Sequence, residues 1–301
     1  MYKLNIMLNT LKNSDKKYRL IIKPKNHILE QSKVNYLLNE IYALTKRLYI
    51  QTYRRPSTLI SGIIQPLLWL VLFSALFTNA PTNLVGLNVQ YSYFLSSGII
   101  VFTAFTGSIN AGLPLMFDRE FGFLNRLLVA PLISRNSLLI SAVTFIATIT
   151  MIQTLIILIF SLIIHNHIPT ILDLIIILFI TLSITLSIAS ISICLAFILP
   201  GHIELLAFIL LTNLPTLFSS TAIAPLSFMP SWLQFLASIN PLTYAIEGIR
   251  YICLSPYVPL KEYVMKNIWF NINIYQNISI LILVNILSFV LVKKIISYKY
   301  E

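Results

Sequence analysis

Four ionisable side chains, Asp118, Arg119, Glu120 and Arg126, fall within nine residues of a chain in which only 10% of residues are charged. They belong to the stretch Phe117 to Pro131, FDREFGFLNRLLVAP, the one charged segment between two long apolar runs. On a helix, Phe117, Phe121, Leu124 and Leu128 follow one another at i, i+4, i+7 and i+11, which makes a single apolar stripe. Mixed charge around an apolar stripe is the chemistry of a docking contact. The spacing predicts a short amphipathic helix, with Phe121 and Leu124 as knobs and the four charged residues as a polar rim, presented to a soluble partner at a membrane surface.

A second stretch carries the other candidate pair. Ser219 to Cys253 is too apolar for an ordinary loop, yet Pro225, Pro230 and Pro241 interrupt it. Ser231 and Gln234 have the spacing of a capping box, Trp232 suits an interface, and Asn240-Pro241 reads as an N-cap followed by a first-turn proline. The pattern predicts two short helices, about 231–239 and 241–253, forming a re-entrant hairpin that dips in from the outer face. Glu247 and Arg250, at i and i+3, are placed to pair and so lower the cost of charge at membrane depth. That role is structural rather than catalytic.

Enzymatic signatures are missing. None of the eight glycines begins a G-x-x-x-x-G-K-[ST] phosphate loop, and no H-E-x-x-H, C-x-x-C or G-x-S-x-G is present. ATP hydrolysis by a phosphate loop is excluded, and no cofactor or catalytic residue is expected. His165 and His167 lack a third ligand and read as a polar loop, so no metal site is expected.

These segments need a membrane to hold them. Hydrophobic residues make up 57% of the 301, and six runs approach or exceed the roughly 20 residues that cross a bilayer. They are about 58–78, 91–115, 137–164, 171–199, 205–224 and 275–292. Long continuous runs favour helices over barrel strands. The predicted fold is an all-α polytopic membrane protein. Residues 1–34 form a basic tail. Residues 35–57 form an amphipathic interfacial helix with Leu37, Ile41, Leu44 and Leu48 on one face. The transmembrane domain covers 58–298.

Net charge is +11, but its distribution speaks of topology rather than nucleic acid. Residues 1–57 hold twelve Lys and Arg, the 116–136 loop three and the C-terminal tail three, leaving Arg250, Lys261 and Lys266 for the opposite side. Positive-inside bias puts both termini and the 116–136 loop in the cytoplasm or its equivalent. No apolar leader lies near the start, so no cleaved signal is expected. The spans nearly lack Asp, Glu, Lys and Arg, which argues against a secondary transporter with an ionisable relay. A smooth, Ser- and Thr-dotted bundle suits passage of apolar or amphipathic material driven by an attached engine. A non-transporting scaffold or assembly factor is the alternative.

DREFGFLNRLLVAPLISRNSLLISA in the first loop and INPLTYAIEGIR after the fifth run resemble the membrane subunits of ABC-2 type transporters. The likeness extends over about 35–298. It implies a permease subunit of an exporter, working as a homodimer in the lipid bilayer with a separate ATPase. It also implies that Phe117–Pro131 is the coupling helix and 35–52 the interfacial connecting helix. The Ile-, Asn- and Lys-rich composition, which suits an AT-rich genome, and the basic tail are similar to homologues encoded in algal plastid genomes. A plastid membrane, with both termini stromal, is therefore expected, or else a bacterial inner membrane.

Overall fold

The computed structural model describes residues 33–77, 91–129, 136–165, 170–254, 263–266 and 271–300. Most of the basic tail, the outer loop at 79–90 and residues 166–169, with His167 among them, lie outside these residues; His165 is the last residue of a described helix. The chain divides at Leu38 into two units. Of the first, only the opening turns of helix α1 (Lys33–Tyr53) are described. Everything below concerns the second.

Helices dominate. After α1 come α2 (Pro56–Leu76), α3 (Tyr91–Ile109), α4 (Gly112–Glu120), α5 (Phe123–Val129), α6 (Asn136–His165), α7 (Ile171–Ile198) and α8 (His202–Phe218). Two short helices, α9 (Ser231–Ile239) and α10 (Pro241–Leu254), precede the long α11 (Ile274–Tyr300). A small antiparallel ribbon of β1 (Tyr263–Lys266) and β2 (Asn271–Asn273) lies between α10 and α11, a stretch to which the sequence reading assigned no element. Pro56 stands at the first position of α2, where its missing N–H costs nothing. Thr170 and Asp173 form a reciprocal capping box at the head of α7.

Among the described residues, five helical stretches are long and apolar enough to cross a bilayer: Pro56–Leu76, Phe94–Glu120, Asn136–Ile164, Ile171–Ile198 and Ile274–Ile295. The run expected at 205–224 forms the 17-residue α8 instead. At 1.5 Å per residue that is about 25 Å, against a roughly 30 Å hydrocarbon core. The turn after it completes the passage: His202 bonds Glu120 at one end and Ala222 lies against Gly98 at the other, so α8 and its turn run alongside α3 and α4. Its helix stops at Phe218 because Ser219, Ser220 and Thr221 turn the chain.

The core runs along α3. Leu95, Ile99, Val101 and Phe105 from that helix pack with Ile157 of α6, Ile180 and Ile184 of α7, and Ile246 and Ile249 of α10. In lipid, close fit rather than water exclusion holds such helices together. A second cluster gathers Leu44 and Leu48 of α1 with Ala111, Leu115, Leu124, Leu138, Ala142 and Phe145. The Leu44 and Leu48 face of the amphipathic helix therefore covers the protein's own helices.

One break in the spans has a specific remedy. Between α3 and α4 the chain turns at Asn110–Ala111. Ser192 of α7 repairs it: its hydroxyl donates to the Ile109 carbonyl and accepts from the Gly112 N–H at 2.9 Å. Buried backbone groups freed by a break require such partners. Gly112 admits this approach, since a Cβ there would lie 2.5 Å from the Ser192 carbonyl oxygen.

Candidate functional site

The single helix expected over Phe117–Pro131 is two helices. α4 ends at Glu120, and Gly122 adopts a φ of +70°, the left-handed conformation that glycine takes most readily. Its N–H bonds the Arg119 carbonyl at 3.2 Å and the Phe121 N–H bonds the Phe117 carbonyl at 2.9 Å, closing α4 before α5 starts. Gly122 was the signal in the sequence that the stripe would not continue straight.

The break divides the predicted stripe. Phe117 and Phe121 stay together, with ring centroids 6.1 Å apart and planes 13° from parallel. Phe121 is 79% exposed, and so is Val129 at 87%. Leu124 faces the other way and is 3% exposed, packed in the cluster with Leu44, Leu48 and Phe145. Leu124 as a docking knob is thus corrected: it anchors α5 to its own bundle. The side chain of Leu128 is outside the described set. Arg126 is exposed.

The charged residues are corrected too. Asp118, Arg119 and Glu120 were expected as a rim facing outward, and each is engaged within the chain. Asp118 pairs with Arg47 of α1, whose guanidinium also lies 4.7 Å from the centre of the Phe123 ring. Arg119 donates to the carbonyls of Ala196 at 2.9 Å, Phe197 at 3.4 Å, Leu199 at 2.5 Å and Pro200 at 2.6 Å. Glu120 accepts from the backbone N–H of His202 at 2.5 Å and pairs with the His202 ring, which also lies 5.3 Å from the Phe117 ring. Consecutive charges thus reach α1, the end of α7 and the start of α8. Arg47 and His202 were missed by sequence reasoning, because their partners lie 71 and 82 residues away and no local spacing marks them.

At the other end, α9 and α10 form at the expected positions. Pro230, not Ser231, precedes α9, and no side chain caps that helix; Gln234 instead donates to the Met229 carbonyl at 2.8 Å. The Ser231–Gln234 capping box is therefore corrected. Asn240 accepts from the Leu242 N–H at 3.0 Å as an N-cap, and its amide donates to the carbonyls of Thr216 at 3.0 Å and Ser219 at 3.3 Å. Arg250 pairs with Glu247, donates to the Thr221 carbonyl at 2.7 Å and covers the Phe94 ring at 3.6 Å. Tyr91 donates to the Ile223 carbonyl at 2.9 Å. The non-helical stretch after α8 thus finds partners for carbonyls that helix geometry leaves open.

The apolar helices thus carry an exposed aromatic tip whose charged residues bond the middle of α1, the end of α7 and the start of α8. The ABC-2 type transporter pattern matches residues 39–254. The chain belongs to the ABC-2 type transporter family. It is similar to a protein of Porphyra purpurea provisionally named transport permease ycf38, with 59% identity over 216 residues, 72% of this chain and 74% of that one. A protein of the same name from Cyanophora paradoxa is 54% identical over 217 residues, covering 72% and 75%. DrrC of Mycobacterium tuberculosis, provisionally named a doxorubicin resistance ABC transporter permease protein, is 28% identical over 219 residues, covering 68% and 74%. The permease is thus an all-α, multi-pass membrane protein of a family whose members work with an ATPase subunit.

Proposed function

We propose that this permease is the membrane subunit of an exporter that moves an apolar or amphipathic substrate, driven by a separate ATPase docked on the tip of α4 and α5. The observation that carries this reading is the exposure of Phe121, Arg126 and Val129 beside residues tied into the bundle. Large exposed apolar side chains next to a cation fit a protein partner. No phosphate loop exists in the sequence, so the energy of ATP must enter through such a contact. A homodimer in a plastid membrane, with both termini and the tip on the stromal side, follows from the resemblance and from the basic charge of the tail and the 116–136 loop. The α9–α10 hairpin lies at the opposite, outer side. Glu247 and Arg250 serve structure there.

The experiment is affinity capture of the tagged permease from its native membrane. An ATPase should co-purify with the wild-type chain, and Phe121→Asp with Val129→Asp should lose it while the permease itself stays in the membrane. Full capture by that double variant would place docking elsewhere. Capture of no ATPase by the wild type would favour a scaffold.

A further inference from the structure

Arg119 and Glu120 make contacts of an unusual kind. Almost every bond they form is to backbone, at two helix ends that meet at one turn. Arg119 gathers four carbonyls from residues 196 to 200, where α7 ends. Glu120 accepts the first N–H of α8, where Gly201 has no side chain to cap it. A cation at a helix C-terminus and a carboxylate at a helix N-terminus both oppose the partial charges found there. Bonds of this type, with one ionised partner, are the shorter and stronger class.

We propose that Arg119 and Glu120 are positioning residues that transmit displacement of the α4–α5 tip to α7 and α8. This rests on the reading of that tip as the ATPase contact. The tip and the link are separate surfaces: Phe121 and Val129 face outward, whereas Arg119 and Glu120 face the 199–202 turn. α4 continues the second membrane crossing, so a push on the tip moves α4 directly. Through these two side chains it also takes hold of the α7–α8 turn by backbone groups, beside the softer ring contact of Phe117 with His202. Asp118, bound to Arg47, carries the same movement to α1. One displaced segment would then shift helices at three places at once.

The test uses the full permease in lipid nanodiscs, with and without the ATPase that co-purifies with it. Nitroxide labels are placed at Lys46→Cys on α1 and Leu210→Cys on α8, both outside the tip. In the wild-type background, adding ATPase and a non-hydrolysable ATP analogue should change the distance between labels. In Arg119→Gln and Glu120→Gln backgrounds the ATPase should still bind within about twofold of wild type while the distance change is lost. Arg119→Lys, which keeps the charge and fewer donors, should restore part of it. Hydrogen exchange of the permease alone should rise about tenfold or more at the 202–206 amides in Glu120→Gln. A full distance change in both variants overturns the link but leaves the tip as the docking site. Absence of ATPase binding and of any distance change in the wild type overturns the docking reading and the link with it. Unchanged exchange at 202–206 overturns the clamp itself, whatever the ATPase does.

Discussion

Arg250, 5% exposed, donates to the carbonyl of Thr221 at 2.7 Å, joining α10 to the irregular turn that follows α8. The same guanidinium holds Glu247 and lies over Phe94 of α3. A buried cation thus closes three gaps: a carboxylate charge, an open carbonyl and an aromatic face. Removing it leaves the first two unmatched in a region of low dielectric.

Arg250→Met should therefore cost on the order of 3–5 kcal/mol and lower the yield of folded, monodisperse protein in detergent. Adding Glu247→Gln should recover part of the loss, because the uncompensated charge is gone. It should not recover all, since the Thr221 carbonyl stays open. Thermal unfolding followed by size exclusion measures both. Equal melting of the single and double variants would show that the ion pair carries no weight.

Asn240 separates two roles by atom. Its Oδ1 caps α10 and its amide nitrogen holds the end of α8. Asn240→Asp keeps the cap and loses the donors, whereas Asn240→Ser can keep a cap alone. Both should expose the Thr216 and Ser219 carbonyls, at about 1–3 kcal/mol for an unmatched buried group. Faster hydrogen exchange at residues 219–224 in both variants is the expected result. Protection equal to wild type in Asn240→Asp would mean that capping alone fixes the hairpin.

Topology can be read with thiol labels because one native cysteine is buried and the other only partly exposed. Cys194 is buried in α7. Burial, with Asp173 nearby adding to it, pushes the Cys253 thiol up to about 11. A raised thiol value means that little reactive thiolate exists at neutral pH, and labelling should rise only as pH approaches that value. At pH 7 the native chain should stay nearly unlabelled by an impermeant maleimide. Trp232→Cys and Lys294→Cys, both at exposed positions, should then label from opposite sides of a sealed vesicle. Labelling of both from one side would remove the proposed orientation.

What the residues disclosed depended on range. Helices declared by long apolar runs, such as α6 and α7, and breaks declared by proline, such as those bounding α9 and α10, follow from local chemistry and could be read directly. The end of α8 was read six residues too late: the run up to 224 hides the turn that Ser219, Ser220 and Thr221 make, whose carbonyls Asn240 and Arg250 hold from 21 and 29 residues away. The ribbon of β1 and β2 was missed since its strands are four and three residues long, below the length at which alternation is visible. The charged tip shows the same limit. Asp118, Arg119 and Glu120 have the composition of a solvated rim, and only the arrival of Arg47, the 196–200 carbonyls and His202 turns them inward.

The contrast between Leu124 and Phe121 gives the sharpest test of the tip. Both belong to the apolar stripe read from the sequence, three residues apart, yet Gly122 sends them to opposite faces. Leu124 fills space among Leu44, Leu48, Ala142 and Phe145. Leu124→Ala should leave a void there and destabilise the fold by about 2–5 kcal/mol. Phe121 touches little beyond Phe117 and is mostly exposed. Phe121→Ala should change stability by no more than about 0.5 kcal/mol. Its loss should appear in ATPase association, where truncating a central aromatic anchor typically costs about 2 kcal/mol or more, roughly thirtyfold in affinity. Melting temperature and affinity for the co-purifying ATPase, measured on the same two preparations, should therefore split in opposite ways. A Phe121→Ala permease that melts early and binds normally would mean that the aromatic tip packs against its own chain or against headgroups, and that the engine docks on another surface.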